Sequence, residues 1–168
     1  MKRSRNIPTV LAVLIALAYV AFHIWETTWY EGLIPVAIGI NGTELIDGQS
    51  DFREGCGVAI FKLGDHTAVW IRSSGLAALT KAHEARSHPG NHYFTFGDWK
   101  ETPYVITGDD LTLADRWLNG IGCASIGQEL RQNIDKAMSA RGSFYSTSSE
   151  SGLLVIPQLS LVVLSYDG

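Results

Sequence analysis

Two histidines and an aspartate lie close together in the segment HPGNHYFTFGD and have the right chemistry to bind a metal or transfer protons: His88, His92 and Asp98. A three-residue gap between histidines occurs in zinc sites, where a nearby carboxylate serves as a third ligand or orients one. Pro89 and Gly90 exclude the regular helix that usually presents such a pair, and no HExxH or cysteine set completes it. These three residues are therefore an alternative metal site, beside the simpler interpretation of a polar surface loop.

The same region contains five aromatic side chains within a dozen residues: Tyr93, Phe94, Phe96, Trp99 and Tyr104. Aromatic residues are enriched at protein interfaces because they bury a large area at a small entropic cost. They also fill protein cores, so the pattern fits either place. We take these five residues as the predicted partner-binding site.

Motifs for other chemistries are missing from the sequence. There is no G-x-S-x-G, G-x-G-x-x-G, phosphate-binding G-x-x-x-x-G-K-[ST] or C-x-x-C. Each of these patterns positions a nucleophile, a phosphate cradle or a redox pair. The sequence therefore predicts no cofactor and favours a protein that is not an enzyme.

An uncharged apolar run from Ile7 to Trp25 determines how the rest of the chain is placed. As a helix these residues reach roughly 28 Å, close to the roughly 30 Å hydrocarbon thickness of a bilayer. Lys2, Arg3 and Arg5 precede the run, and cationic flanks stay in the cytoplasm. We therefore predict a cytoplasmic N-terminus at residues 1–6, a transmembrane signal anchor at 7–25 and an extracytoplasmic domain at 26–168.

A cleaved signal peptide is the competing interpretation of this run. Ala16-Leu17-Ala18 is an A-x-A cleavage site after a shorter apolar region. Cleavage at Ala18 would secrete the domain, while retention would leave it on a single-pass anchor in the periplasm or an equivalent compartment. Retention is favoured because the apolar run continues beyond Ala18 to Phe22.

The exported part is acidic. Three of the 13 Lys and Arg residues precede the apolar run and all 17 Asp and Glu residues follow it, which leaves residues 26–168 with a formal charge of −7. Nucleic acids and anionic lipids attract basic surfaces. The composition therefore predicts no nucleic-acid partner.

Both cysteines, Cys56 and Cys123, lie in this exported part. An oxidising compartment permits a disulfide between them, closing a long loop. Two separate buried thiols are the alternative. We predict the disulfide.

Hydrophobic periodicity predicts strands at both ends of the exported domain. One hairpin is expected at residues 35–40 and 43–46 around Asn41-Gly42, and a second at 58–63 and 67–72. Strands are also expected near Phe144, at 153–156 and at 159–166, with Pro157 as a break and the last strand central in the sheet.

The middle of the chain predicts about three helices. One begins at Ser74, a second starts at Asp109 or Asp110 and ends at Asn119-Gly120, and a third follows the capping box of Ser125 and Gln128. Short strands are expected at 92–96 and 104–107. Segregated strands and helices indicate an α+β domain with a mainly antiparallel sheet.

These observations lead to one functional hypothesis and two alternatives. The first is a membrane-anchored extracytoplasmic interaction protein, of which an inhibitor or immunity-type protein is one form, with a protein partner in the envelope. The second is a small envelope hydrolase or metal-dependent enzyme that uses His88, His92 and Asp98. The third is a structural subunit of a membrane complex, held by residues 7–25.

Overall fold

The computed structural model describes residues 7–50, 55–104, 117 and 119–168 of the chain. Six strands and several helices occur in these ranges. The helices are α1 (Ile7–Leu33), α2 (Asp65–Ser74), α3 (helical at 117 and 119–123) and α4 (Gln128–Ser139), with 3-10 turns at Gly75–Leu79 and His92–Phe94. The strands are β1 (Ile40–Ser50), β2 (Gly55–Leu63), β3 (Lys100–Glu101), β4 (Phe144–Thr147), β5 (Ser151–Ile156) and β6 (Leu161–Asp167).

The strands form one antiparallel sheet in the order β1-β2-β6-β5-β4-β3. The apolar strand β6 lies between β2 and β5, as its continuous run of Leu and Val predicts. Pro157 stands in the turn between β5 and β6, where its missing amide costs no ladder hydrogen bond. The prediction of an α+β fold with a mainly antiparallel sheet is confirmed.

Helices cover both faces of the sheet, which gives two hydrophobic clusters. The first face of the sheet is covered by α2, by the 3-10 turn at Gly75–Leu79 and by the C-terminal end of α1. The second face is covered by α3 and α4. Alternate residues of a strand point to opposite faces. In β6, Val162 and Leu164 accordingly belong to the first cluster, and Leu161 and Val163 to the second.

The helix α1 is long and apolar enough to cross a membrane. It has 27 residues, roughly 40 Å at 1.5 Å per residue. Its most apolar stretch has a mean hydropathy of 2.0, and none of that stretch is buried within the protein. The helix continues past Trp25, the predicted end of the span, and its last turn enters the core through Leu33.

The disulfide between Cys56 and Cys123 is confirmed. Their Cα atoms lie 5.8 Å apart, and the bond joins β2 to α3 across 67 residues of sequence. A disulfide is typical of an oxidising compartment. Together with α1, it fits a protein associated with a membrane and folded outside a reducing cytosol.

The predicted hairpin around Asn41-Gly42 is wrong. These two residues lie inside β1, which pairs with β2 along its length. The register shifts between Ile40 and Thr43, so the pair forms a bulge, and the φ of +96° at Gly42 suits a glycine there. An Asn-Gly pair has the same backbone preference in a bulge as in a tight turn, and the sequence does not distinguish the two.

The predicted strand at 67–72 is also wrong, because these residues form α2. Val, Trp and Ile favour strands, but Ala68 and Ile71 are buried at helical spacing while Val69 and Trp70 are exposed. Burial of one helical stripe outweighs the local strand preference. Gly75, with a φ of +57°, ends the helix.

Two further predicted elements are replaced by shorter ones. Instead of a long helix from Ser74, the chain makes the 3-10 turn Gly75–Leu79, and instead of a strand at 92–96 it makes the 3-10 turn His92–Phe94. The predicted strand at 104–107 lies mostly outside the described residues, and β3 is at Lys100–Glu101 instead.

The helix α4 is confirmed, with Ile134 at the centre of its buried stripe. The capping box is wrong, because the N-cap is Gly127 and no side chain caps the helix. The amide of Ser125 instead donates to the carboxylate of Asp47. The helix predicted to stop at Asn119-Gly120 continues to residue 123, while its predicted start at Asp109 or Asp110 lies outside the described residues.

Candidate functional site

The predicted aromatic site is divided between the core and the surface. Phe96 and Trp99 are 2% and 9% exposed and belong to the first hydrophobic cluster. The indole Nε1 of Trp99 donates to the carbonyl oxygen of Ala82 at 2.9 Å, which fixes the ring inside. These two side chains contribute to folding rather than to a free surface.

The other three aromatic residues differ in exposure. Phe94 is half-buried against the first cluster, and Tyr104 is half-buried with its ring edge-on to Tyr145 at 5.2 Å. Tyr93 is 44% exposed. Of the five residues predicted to bind a partner, Tyr93 is the one that projects into solvent.

The histidines of the predicted metal site contact aromatic rings. The ring of His88 lies 4.9 Å from Trp29 and 5.0 Å from Phe94, while His92 lies 4.0 Å from the ring of its neighbour Tyr93. Asp98 is exposed. Within the described part of the chain, no three His, Cys, Asp or Glu side chains are grouped so as to hold a metal ion.

A more concentrated exposed surface lies on α2 and the turn after it. Val69 is 57% exposed, Trp70 43% and Leu76 42%, so three large apolar side chains face solvent within eight residues. We call these three residues the α2 surface. Exposed apolar side chains in a group mark binding sites more reliably than isolated ones.

The start of α2 is fixed by a hydrogen bond between Gly64, which follows β2, and Gly39, which precedes β1. The amide of Gly64 donates to the carbonyl oxygen of Gly39 at 2.8 Å, and α2 starts at the next residue. Ala68 and Ile71 then face the first cluster. Since residues on opposite sides of a helix cannot both face the sheet, Val69 and Trp70 point outward.

A groove of about 300 Å³ lies beside the α2 surface and shares Leu76 with it. Its polar groups include Arg72, whose Nη1 donates to the carbonyl oxygen of Pro157 at 2.6 Å. Gln158 crosses the groove to donate to the carbonyl oxygen of Gly142 at 2.7 Å. The groove thus offers fixed polar groups beside the exposed Leu76, the combination found where an apolar anchor is surrounded by polar contacts.

The opposite end of the sheet receives α1. The hydroxyl of Tyr30 donates to the hydroxyl of Tyr166 at 2.7 Å, and their rings stack at 5.2 Å. Burial raises the pKa of the Tyr166 hydroxyl. These contacts attach α1 to the last residues of β6.

The α2 surface therefore lies far from the point where α1 enters the domain. Tyr166 pairs with Ser151 at one end of the sheet, whereas Leu161 pairs with Ile156 at the other, beside Pro157 and Arg72. The seven residues of β6 separate these ends by roughly 20 Å. We call the end of the sheet at Tyr166 proximal and the end at Pro157 distal.

Sequence reasoning missed the α2 surface because it assigned residues 67–72 to a strand of a hairpin. The signal was present in the same residues. Residues 68–71 are all apolar and so lack the alternation of polar and apolar residues that marks a half-exposed strand. A helix with one buried stripe explains why that stretch lacks a polar face on alternate residues.

Comparison with protein-family models, curated proteins and solved structures gives no significant match.

Proposed function

We propose that this protein is a membrane-anchored interaction protein whose extracytoplasmic domain presents the α2 surface to a protein partner. The observation that carries the proposal is the exposure of Trp70 together with Val69 and Leu76, the last of which also lines the groove. Tryptophan is the residue type most enriched among those that dominate binding energy. In this proposal the partner lies in the same compartment and faces the distal end of the domain.

The orientation across the membrane is supported by two independent features. Lys2, Arg3 and Arg5 precede the apolar helix, and such flanks remain in the cytoplasm. The Cys56–Cys123 bond suits an oxidising compartment on the other side. Both features favour an N-terminus inside the cell and a periplasmic or equivalent position for the domain.

The charge of the domain supports a protein partner. Residues 26–168 carry a formal charge of −7, which disfavours nucleic acid. The net negative charge of the domain would attract a basic partner over a distance. An inhibitor or immunity-type protein that neutralises a basic toxin has this character.

Site-specific photocrosslinking in cells that naturally produce the protein tests the proposal. A photoreactive amino acid replaces Trp70, and a matched variant carries it at Gln132, an exposed position on α4. We expect one discrete protein adduct from position 70 and none from position 132. Equal labelling at both positions, or no adduct at 70, would contradict the proposal.

Trp70→Ala provides the quantitative test once that adduct is identified. Truncation of a central tryptophan costs about 2 kcal/mol, so affinity for the partner should fall roughly 30-fold. Gln132→Ala should leave the affinity unchanged, and the circular dichroism of both variants should match the wild type because neither side chain is in the core.

Exchange of residues 7–25 for an unrelated apolar helix separates this proposal from a structural subunit held by its anchor. A partner that binds the α2 surface should still crosslink from position 70, because the surface is at the distal end. Loss of the adduct would instead place the essential contact within the span.

A further inference from the structure

The segment that follows Ala85 runs antiparallel to the last turns of α1. Ala85 pairs with Pro35, and the amide of Arg86 donates to the carbonyl oxygen of Ile34 at 3.3 Å. The amide of Ser87 donates to the carbonyl oxygen of Gly32 at 3.0 Å. Next, the His88 ring packs on Trp29. As the segment advances from 85 to 88, its partners on the α1 side step back from 35 to 29, toward the apolar part of the helix.

The tip of this loop therefore lies close to the end of the predicted span. Trp29 stacks on Trp25, with ring centroids 6.2 Å apart. Four helical residues separate the two by about 6 Å along the axis, and Trp25 is the last residue of the uncharged run. The chain turns at residues 88–91, where the amide of Asn91 donates to the carbonyl oxygen of His88 at 3.2 Å. Tyr93 follows on the returning arm, one residue before Phe94, whose carbonyl oxygen accepts from the amide of Ala85.

The chemistry of the loop differs from that of the rest of the domain. Residues 85–97 contain no Asp or Glu, although residues 26–168 as a whole carry a formal charge of −7. Tyr93 is exposed and its ring lies against His92. Tyrosine and tryptophan concentrate where lipid headgroups meet the acyl chains, because one end of each side chain is apolar and the other polar.

We propose that the loop of residues 88–93 contacts the outer surface of the lipid bilayer, with Tyr93 in the headgroup region. This inference rests on the membrane span of the proposed function and adds a second lipid contact to it. The surface suits zwitterionic headgroups, since the loop has no cluster of lysines or arginines to bind anionic ones. The contact would prevent the domain from rotating away from the membrane around α1.

Spin labels on the full chain in phosphatidylcholine nanodiscs test the inference. Single cysteines replace Tyr93, Ser73 and Leu14, with the native cysteines kept in their disulfide. Collisions with oxygen, which partitions into lipid, are compared with collisions of a water-soluble nickel complex. We expect the ratio of oxygen to nickel collisions at position 93 to exceed that at the distal position 73 several-fold and to stay below that at position 14, which lies near the middle of the span.

Each other outcome overturns a specific claim. Lipid exposure at position 14 combined with a water-like ratio at position 93 would refute the loop contact and leave the span intact. Water-like ratios at both positions would refute the span and the loop contact together. Equally high ratios at 73 and 93 would refute the distal placement of α2, and with it a contact specific to the loop.

Discussion

The hydroxyl pair of Tyr30 and Tyr166 connects the apolar helix to the sheet. Tyr166→Phe removes the acceptor at 2.7 Å but retains the stacked ring. A hydrogen bond of this kind contributes about 1 kcal/mol, so the free energy of unfolding in mild detergent should fall by that amount. Tyr93→Phe, which alters an exposed hydroxyl, is the matched control and should have no effect on denaturant unfolding.

The same pair makes stability depend on pH. Burial raises the pKa of Tyr166 in the folded protein, whereas an unfolded tyrosine ionises near 10. Because the pKa of Tyr166 is higher in the folded than in the unfolded state, its contribution to the free energy of unfolding is fully present below about pH 10. This contribution is lost as the pH rises through the pKa of the folded state. Tyr166→Phe should therefore show a shallower loss of stability above pH 10, and identical pH profiles for the two proteins would rule this origin out.

Residue types alone predicted covalent and backbone features better than surface exposure. The even number of cysteines predicted the Cys56–Cys123 bond, and the missing amide of Pro157 predicted the break before β6. Whether an aromatic ring is buried depends on neighbours far away in sequence. Trp99 reaches Ala82 in the core while Tyr93, six residues earlier, is exposed.

At the scale of elements, the docking of α1 depends on close contact at Gly32. A Cβ atom at this position would lie 2.6 Å from Oγ and 2.8 Å from Cβ of Ser87. Gly32→Ala should therefore destabilise the folded protein by about 1 kcal/mol even though alanine favours helix, because the loop must move away.

Ser87→Gly supplies the compensating change. In that background Gly32→Ala meets no side chain and keeps its helix preference, so it should be neutral or stabilising by up to about 1 kcal/mol. The opposite sign in the two backgrounds, measured as a double-mutant cycle by thermal unfolding, identifies the contact. Equal effects in both backgrounds would show that Gly32 and Ser87 are not coupled.

Element predictions succeeded where burial and local preference agree. The helix α4 has an apolar stripe centred on Ile134, and β6 has a continuous apolar run, so both were predicted from periodicity. One failure came where a glycine serves close packing instead of ending a helix. Gly120 was taken as a helix end, but a Cβ there would lie 2.8 Å from the backbone oxygens of Gly57 and Tyr166, so glycine lets α3 approach the sheet.

At the scale of the whole molecule, the sequence predicted the fold class and an apolar N-terminal helix. It did not predict which end of the sheet lies near that helix. This placement follows from long-range contacts. The chain leaves α1 at the proximal end near Tyr166 and reaches Gly39 beside Gly64, where α2 begins. No local pattern encodes a contact between residues 30 and 166.

The domain should therefore stand with its distal end away from the bilayer. A donor dye on His66→Cys, at the start of α2, is compared with one on Ser149→Cys, in the turn between β4 and β5 at the proximal end. Both positions are exposed. The length of β6 places them up to roughly 20 Å apart along the sheet, so energy transfer to acceptor lipids should be clearly more efficient from position 149.

Insertion of four alanines after Trp25 sharpens this measurement. The insertion adds about one helical turn, so the domain keeps nearly the same rotation about α1 but moves outward by about 6 Å. Energy transfer from position 149 should therefore decrease, while transfer from position 149 should remain more efficient than from position 66. Equal transfer from positions 66 and 149 in the original chain would show that the domain lies flat on the membrane. In that geometry the α2 surface would face lipid, and it would no longer be available to a partner beyond the bilayer.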